Sequence, residues 1–200
     1  MNRAVGYYAD PNGAALLARH NLFQVLDAEE TFEAHPEIFP MNEEGEYVLL
    51  CTASISNSHR KTAELLAEKL RDAKTFAGGI RSSGQGDGFE PSFAPGDRKL
   101  ACEHKSEAAP YLYAFNKALD ILTEDEPDFE LITYAFFGTM EAPEGMEVHP
   151  NLWINLVTSD LGPNAAGDQM GPILNNPANR DYARAIREWT DPSDKVAIWH

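Results

Sequence analysis

Residues 46–71 constrain this chain more than any other stretch. They read Glu46-Tyr-Val-Leu-Leu-Cys-Thr-Ala-Ser-Ile-Ser-Asn-Ser-His-Arg-Lys-Thr-Ala-Glu-Leu-Leu-Ala-Glu-Lys-Leu-Arg71. From 47 to 53 the run is almost continuously apolar, which suits a strand covered on both faces. A Ser/Asn turn follows. Ser58 stands where a hydroxyl caps a helix. Ala63, Leu66, Ala67, Leu70 and Ala73 then recur at three- and four-residue spacing, the stripe of an amphipathic helix. The expectation is one βα unit over 47–74.

The remaining elements are arranged around that unit within a single domain, 1–200, a length that supports one sizeable core. Asp10-Pro11 is a helix start, and a second helix over 27–34 stops at His35-Pro36. With the acidic loop 37–46 these make a helical, acidic N-terminal lobe, 1–46, ahead of the main body, 47–200. The Gly- and Pro-rich segment 77–96 reads as a surface excursion or a lid over a nearby site. A short strand is expected at 98–104. A helix starts at Pro110, with Leu112, Phe115, Leu119 and Leu122 on one face.

Strong strands are expected at 129–138 and 152–158, rich in aromatic and β-branched residues. The segment between them holds Pro143, Gly145 and Pro150 and has no helical pattern, so an antiparallel long hairpin is the natural connection. A last helix, capped by Asn179, leads to a closing strand at 195–199. These elements predict an α+β fold: a mixed, largely antiparallel sheet of about five strands with helices packed on it.

Charge narrows the function classes. The formal net charge is −16, which argues against direct binding to a nucleic-acid backbone, where affinity comes from Lys and Arg on phosphates. The charge is uneven. Residues 20–59 contain no Lys or Arg, and neither do residues 118–179, whereas 10 of the 16 basic residues lie between Arg60 and Lys117. An anionic ligand meets a repulsive surface everywhere except in that middle third.

Cys51 and Cys102 are too few for a disulfide framework and lack metal-ligand spacing. No His stands at ligand spacing from another His or Cys, so no zinc site is expected. No apolar run approaches the roughly 20 residues of a membrane helix. A soluble, cytoplasmic protein is the simplest expectation, with no membrane contact. Nothing in the residues names a cofactor or an oligomeric state.

The best chemical candidate is the turn itself: Ser54, Ser56, Asn57, Ser58, His59, Arg60 and Lys61. The first turn of a helix leaves N–H groups unpaired and carries partial positive charge. Cations there oppose the dipole at about 0.3–1 kcal/mol each. Three in succession make sense if an anion sits among them, hydrogen-bonded by the hydroxyls and the amide of the turn. The plainer reading is that His59, Arg60 and Lys61 pair with this protein's own acids, and that Ser-Asn-Ser is ordinary turn chemistry.

The strand, turn and helix of 46–71 resemble the phosphate loop of flavodoxin-like and flavin-reductase domains, without the glycines usual there. A second cationic stripe, Arg180, Arg184 and Arg187, recurs at i, i+4 and i+7 on the last helix. It suits an acidic partner or a polyphosphate, or else it is a solvated face.

Two functions follow as expectations. In one, the protein binds a small phosphate- or carboxylate-bearing ligand at 54–61. Arg60 and Lys61 are then electrostatic clamps, and His59 is the one group there suited to general acid–base work. In the other, it is an acidic interaction or inhibitor protein that engages a basic protein partner, with nucleic-acid charge mimicry as one form of this.

Overall fold

The computed structural model describes residues 22–49, 60–71, 81–82, 91–135, 137–157 and 180–199. The helices are α1 (Leu22–Val25), α2 (Ala28–Ala34), α3 (Arg60–Arg71), α4 (Pro95–Glu103), α5 (Ala108–Asp125) and α6 (Arg180–Thr190). The strands are β1 (Arg81–Ser82), β2 (Leu131–Ala135), β3 (Leu152–Val157) and β4 (Val196–Trp199). They form one sheet in the order β1-β2-β3-β4.

Every pairing in this sheet is parallel. Arg81 lies beside Leu131, Leu131 beside Leu152, and Ile154 beside Val196. This overturns the largely antiparallel, five-stranded sheet expected from sequence. Because β1 is only two residues long, three parallel strands make up its body. A mixture of helix and strand is retained, but the long hairpin is not.

The error lay in the connection from β2 to β3. Parallel strands need a crossover of a dozen or more residues, usually a helix. Here the described residues of the crossover, 137–151, hold a single 3-10 turn, Phe137–Thr139, and no α-helix. Hydrogen bonds to neighbouring elements hold it instead. Ser106 Oγ donates to the Glu141 carbonyl at 2.5 Å, and His104 Nδ1 donates to the Glu144 carbonyl at 2.8 Å. Asn116 grips the crossover at two points, donating to the Glu147 carbonyl at 2.7 Å and accepting from the His149 N–H at 2.9 Å. Trp189 Nε1 donates to the Met140 carbonyl at 2.9 Å.

The strand expected at 98–104 is helix α4. Pro95 occupies its first turn, where no amide donor is needed, and Asp97 favours the positive helix start. Of the 47–74 unit, the helical half is present as α3. Tyr47 makes an isolated antiparallel bridge to Met41, and residues 50–59 lie outside the described residues. So do the expected first helix at 12–21, and Asn179.

One core joins these elements. Leu66, Ala67 and Leu70 of α3, Leu112, Phe115, Leu119 and Leu122 of α5, and Tyr182, Ala185 and Trp189 of α6 pack with Leu131, Leu152, Ile154 and Leu156. Leu22, Leu26, Ile38 and Phe39 enter the same cluster. The helices therefore cover one sheet face. On the other face, Tyr134 and Val157 form a small second cluster with Ile132 and Met140. Burial on both faces explains the unbroken apolar runs of β2 and β3.

Candidate functional site

The order β1-β2-β3-β4 gives the site its frame. Among the described strands the order never reverses, unlike that of doubly wound flavodoxin-like sheets. All strands therefore end at one edge, and the helix directions can be read against it. Five residues, 126–130, separate α5 from β2, and five, 191–195, separate α6 from β4, so each helix ends beside the amino end of the next strand. Tyr111, in the first turn of α5, meets Thr133 in the middle of β2, where the two hydroxyls are 2.7 Å apart. Arg71 at the end of α3 bonds Asp125 at the end of α5 at 3.3 Å, so α3 and α5 run side by side in the same direction. The starts of α3, α5 and α6 thus face the carboxyl edge of the sheet.

Arg60 and Lys61 open α3, and Arg180 opens α6. These are the sequence candidates that the fold brings toward one edge. Ser54, Ser56, Asn57, Ser58 and His59 lie outside the described residues. Lys61 is exposed and has an internal partner, the Glu37 carboxylate at 3.8 Å. Glu37 also meets His35 at 3.5 Å. Its pKa lies below the ordinary carboxylate value, held there first by a backbone hydrogen bond and then by the charges of Lys61 and His35.

Arg184 is exposed and ringed by acids, with Glu141 at 3.5 Å, Glu188 at 3.8 Å and Asp181 at 4.0 Å. Arg187 is exposed in the last turn of α6, where a cation suits the helix dipole. Of the arginine stripe, Arg184 is matched by the protein's own acids, and Arg180 and Arg187 stand exposed.

A family model described as "Domain of unknown function (DUF4838)" matches residues 3–200. The chain belongs to this family. No curated protein and no solved structure matches it. Among the described residues, no helix is long and apolar enough to cross a membrane, and no group of three or more His, Cys, Asp or Glu is arranged to hold a metal ion.

In this DUF4838 chain a concave feature away from the candidate residues went unread in the sequence. An open cleft of about 370 Å³ is lined by Pro40, Met41, Asn42, Glu43, Glu44, Val48, Pro91 and Phe93. Its lip is a tight turn. Asn42 N–H donates to the Glu46 carbonyl at 2.8 Å, Asn42 Oδ1 accepts from Glu46 N–H at 2.8 Å, and Gly45 takes φ +86°. That conformation suits glycine, and Asn-x-x-Gly was the available signal for a turn inside what reads as an acidic loop. The opposite wall is tied on by Phe93 N–H to the Met41 carbonyl at 2.8 Å and by Met41 N–H to Ser92 Oγ at 3.2 Å.

Proposed function

We propose that the protein binds a small anionic molecule, bearing a phosphate or carboxylate, at the carboxyl edge of its parallel sheet. Arg60 and Lys61 act as electrostatic clamps, and Ser54, Ser56, Asn57 and Ser58 donate hydrogen bonds from the turn that leads to them. The observation that carries this reading is the shared direction of α3, α5 and α6, whose starts face the edge where the strands end. Helix starts present unpaired N–H groups and partial positive charge, and three of them face the edge where the parallel strands end. Cations at two of those starts are unfavourable without a ligand and favourable with one. Lys61 keeps its Glu37 contact at a distance that an incoming anion can outcompete. In this reading His59 is the group available for proton transfer, because imidazole is the side chain suited to that work near neutral pH.

A thermal-shift panel of nucleotides, phosphosugars, flavins and inorganic phosphate tests the proposal. At a ligand concentration about 100 times its Kd, one-site binding adds about 2.7 kcal/mol. A stabilising hit that is lost in Arg60→Ala plus Lys61→Ala supports the reading. A flat panel, or a hit that the double variant retains, sinks it.

A further inference from the structure

The cleft at 40–48 and 91–93 carries chemistry opposite to that of the sheet edge. Pro40, Met41, Val48, Pro91 and Phe93 supply its apolar lining, and Asn42 with the carboxylates of Glu43 and Glu44 supplies its polar lining. Phe93 is 39% exposed, a large aromatic left open to solvent. Met41 supplies a side chain that adapts to varied apolar shapes. The cleft volume lies at the small end of pockets that hold ligands, which fits an anchoring side chain and its neighbour rather than a whole cofactor.

The charge pattern identifies the occupant. Most described cations are matched internally. Lys69 pairs with Asp27, Arg71 with Asp125, Arg98 with Glu107, Lys105 with Glu144, Lys117 with Asp120, and Lys195 with Glu130. Arg98, 5.9 Å from the Phe93 ring centre, is held by both oxygens of Glu107 at 2.7 and 2.8 Å. By contrast, no ion pair among the described residues engages Glu43 or Glu44, and residues 20–59 contain no Lys or Arg. Among the described residues the lip is thus a carboxylate pair without an internal cation, complementary to a basic group.

We propose that this cleft docks a basic segment of a partner protein. An aliphatic side chain of the segment enters between Met41 and Phe93, and a flanking Lys or Arg is held by Glu43 and Glu44. The apolar anchor supplies affinity, and the carboxylates supply orientation and a faster encounter. The turn is pinned at Asn42 and Gly45, so little ordering cost falls on the protein side.

The test is fluorescence anisotropy with three labelled peptides: Arg-Leu-Lys-Leu-Arg, its Arg-Ala-Lys-Ala-Arg analogue, and a Glu-Leu-Glu-Leu-Glu control. The first binds saturably at low ionic strength, and the Ala analogue is weaker by about tenfold, as expected for truncating one aliphatic anchor that is partly buried in an open cleft. Glu43→Gln plus Glu44→Gln weakens the first peptide by about tenfold. Glu29→Gln plus Glu33→Gln, an equal change of charge on exposed α2 positions, weakens it by less than about twofold. The proposal is overturned by equal losses in the two double variants, by equal binding of the Leu and Ala peptides, or by no saturable binding at all. Arg60 and Lys61 take no part, so failure here leaves the anion reading standing.

Discussion

Replacing Asn116 by Ala tests how a parallel sheet is built here without a crossover helix. The side chain makes two hydrogen bonds to segment 137–151, one to the Glu147 carbonyl at 2.7 Å and one from the His149 N–H at 2.9 Å. A net hydrogen bond contributes about 0.5–1.5 kcal/mol, so the pair sets a range of about 1–3 kcal/mol. The Glu147 bond is solvent-exposed and belongs at the lower end, which puts the expected loss near 2 kcal/mol. For a domain of this size that corresponds to a fall in Tm of about 4–8 °C. Asn116→Asp keeps the acceptor for His149 but sets a carboxylate against the Glu147 carbonyl and one turn from Asp120. It should cost at least as much at neutral pH and recover partly in acid. Urea unfolding with an unchanged slope measures both variants. An Asn116→Ala loss below about 0.5 kcal/mol would refute the idea that these bonds hold the crossover.

Three further outcomes follow from the same structure. His149 is held below its usual pKa of 6.5 by burial, with the Lys195 charge acting in the same direction and Asp120 opposing. The unfolded chain therefore binds this proton more readily, and the associated stability is full above about pH 6.5 and lost as pH falls toward the depressed value. His149→Gln should flatten the stability curve between about pH 5 and 7, and a curve parallel to that of the parent would contradict the assignment. Phe115, fully buried at the centre of α5, should cost about 3–5 kcal/mol on truncation to Ala by denaturant unfolding, and a loss under about 1 kcal/mol would remove it from the core. Arg184→Ala should cost less than about 1 kcal/mol, because its ion pairs are exposed, and a larger loss would make it a structural clamp.

Helices with a clean apolar stripe were legible in the sequence. The period of Leu66, Ala67 and Leu70 marks α3, that of Leu112, Phe115 and Leu119 marks α5, and that of Tyr182, Ile186 and Trp189 marks α6. The segments that became β2 and β3 were also visible, because burial on both faces leaves uninterrupted apolar runs, and β4 was visible as a short apolar run. Their relative direction was not. Direction depends on what joins the strands, and a crossover held by Asn116, Ser106, His104 and Trp189 leaves no periodic trace of its own. The same apolar runs pointed to a parallel sheet more strongly than the missing helix pointed away from one.

Helix α4 was missed because its buried positions, Asp97 and Ala101, make no apolar stripe. At the candidate site, the sequence marked the cations that open α3 and α6, but the common edge they face follows from strand direction. The cleft was hidden for a related reason: Pro40 to Val48 and Pro91 to Phe93 are distant in sequence and are joined by hydrogen bonds between Met41 and Ser92 and between Met41 and Phe93.

The central claim is that an anion binds where α3 and α6 begin. A ¹H–¹⁵N NMR titration, run with inorganic phosphate and then with the best thermal-shift ligand, addresses it directly. The account predicts saturable amide shifts concentrated at 54–61 and at the starts of α5 and α6, absent in Arg60→Ala plus Lys61→Ala. Shifts that fail to saturate in the millimolar range, or that cluster away from the carboxyl edge of the sheet, would contradict it.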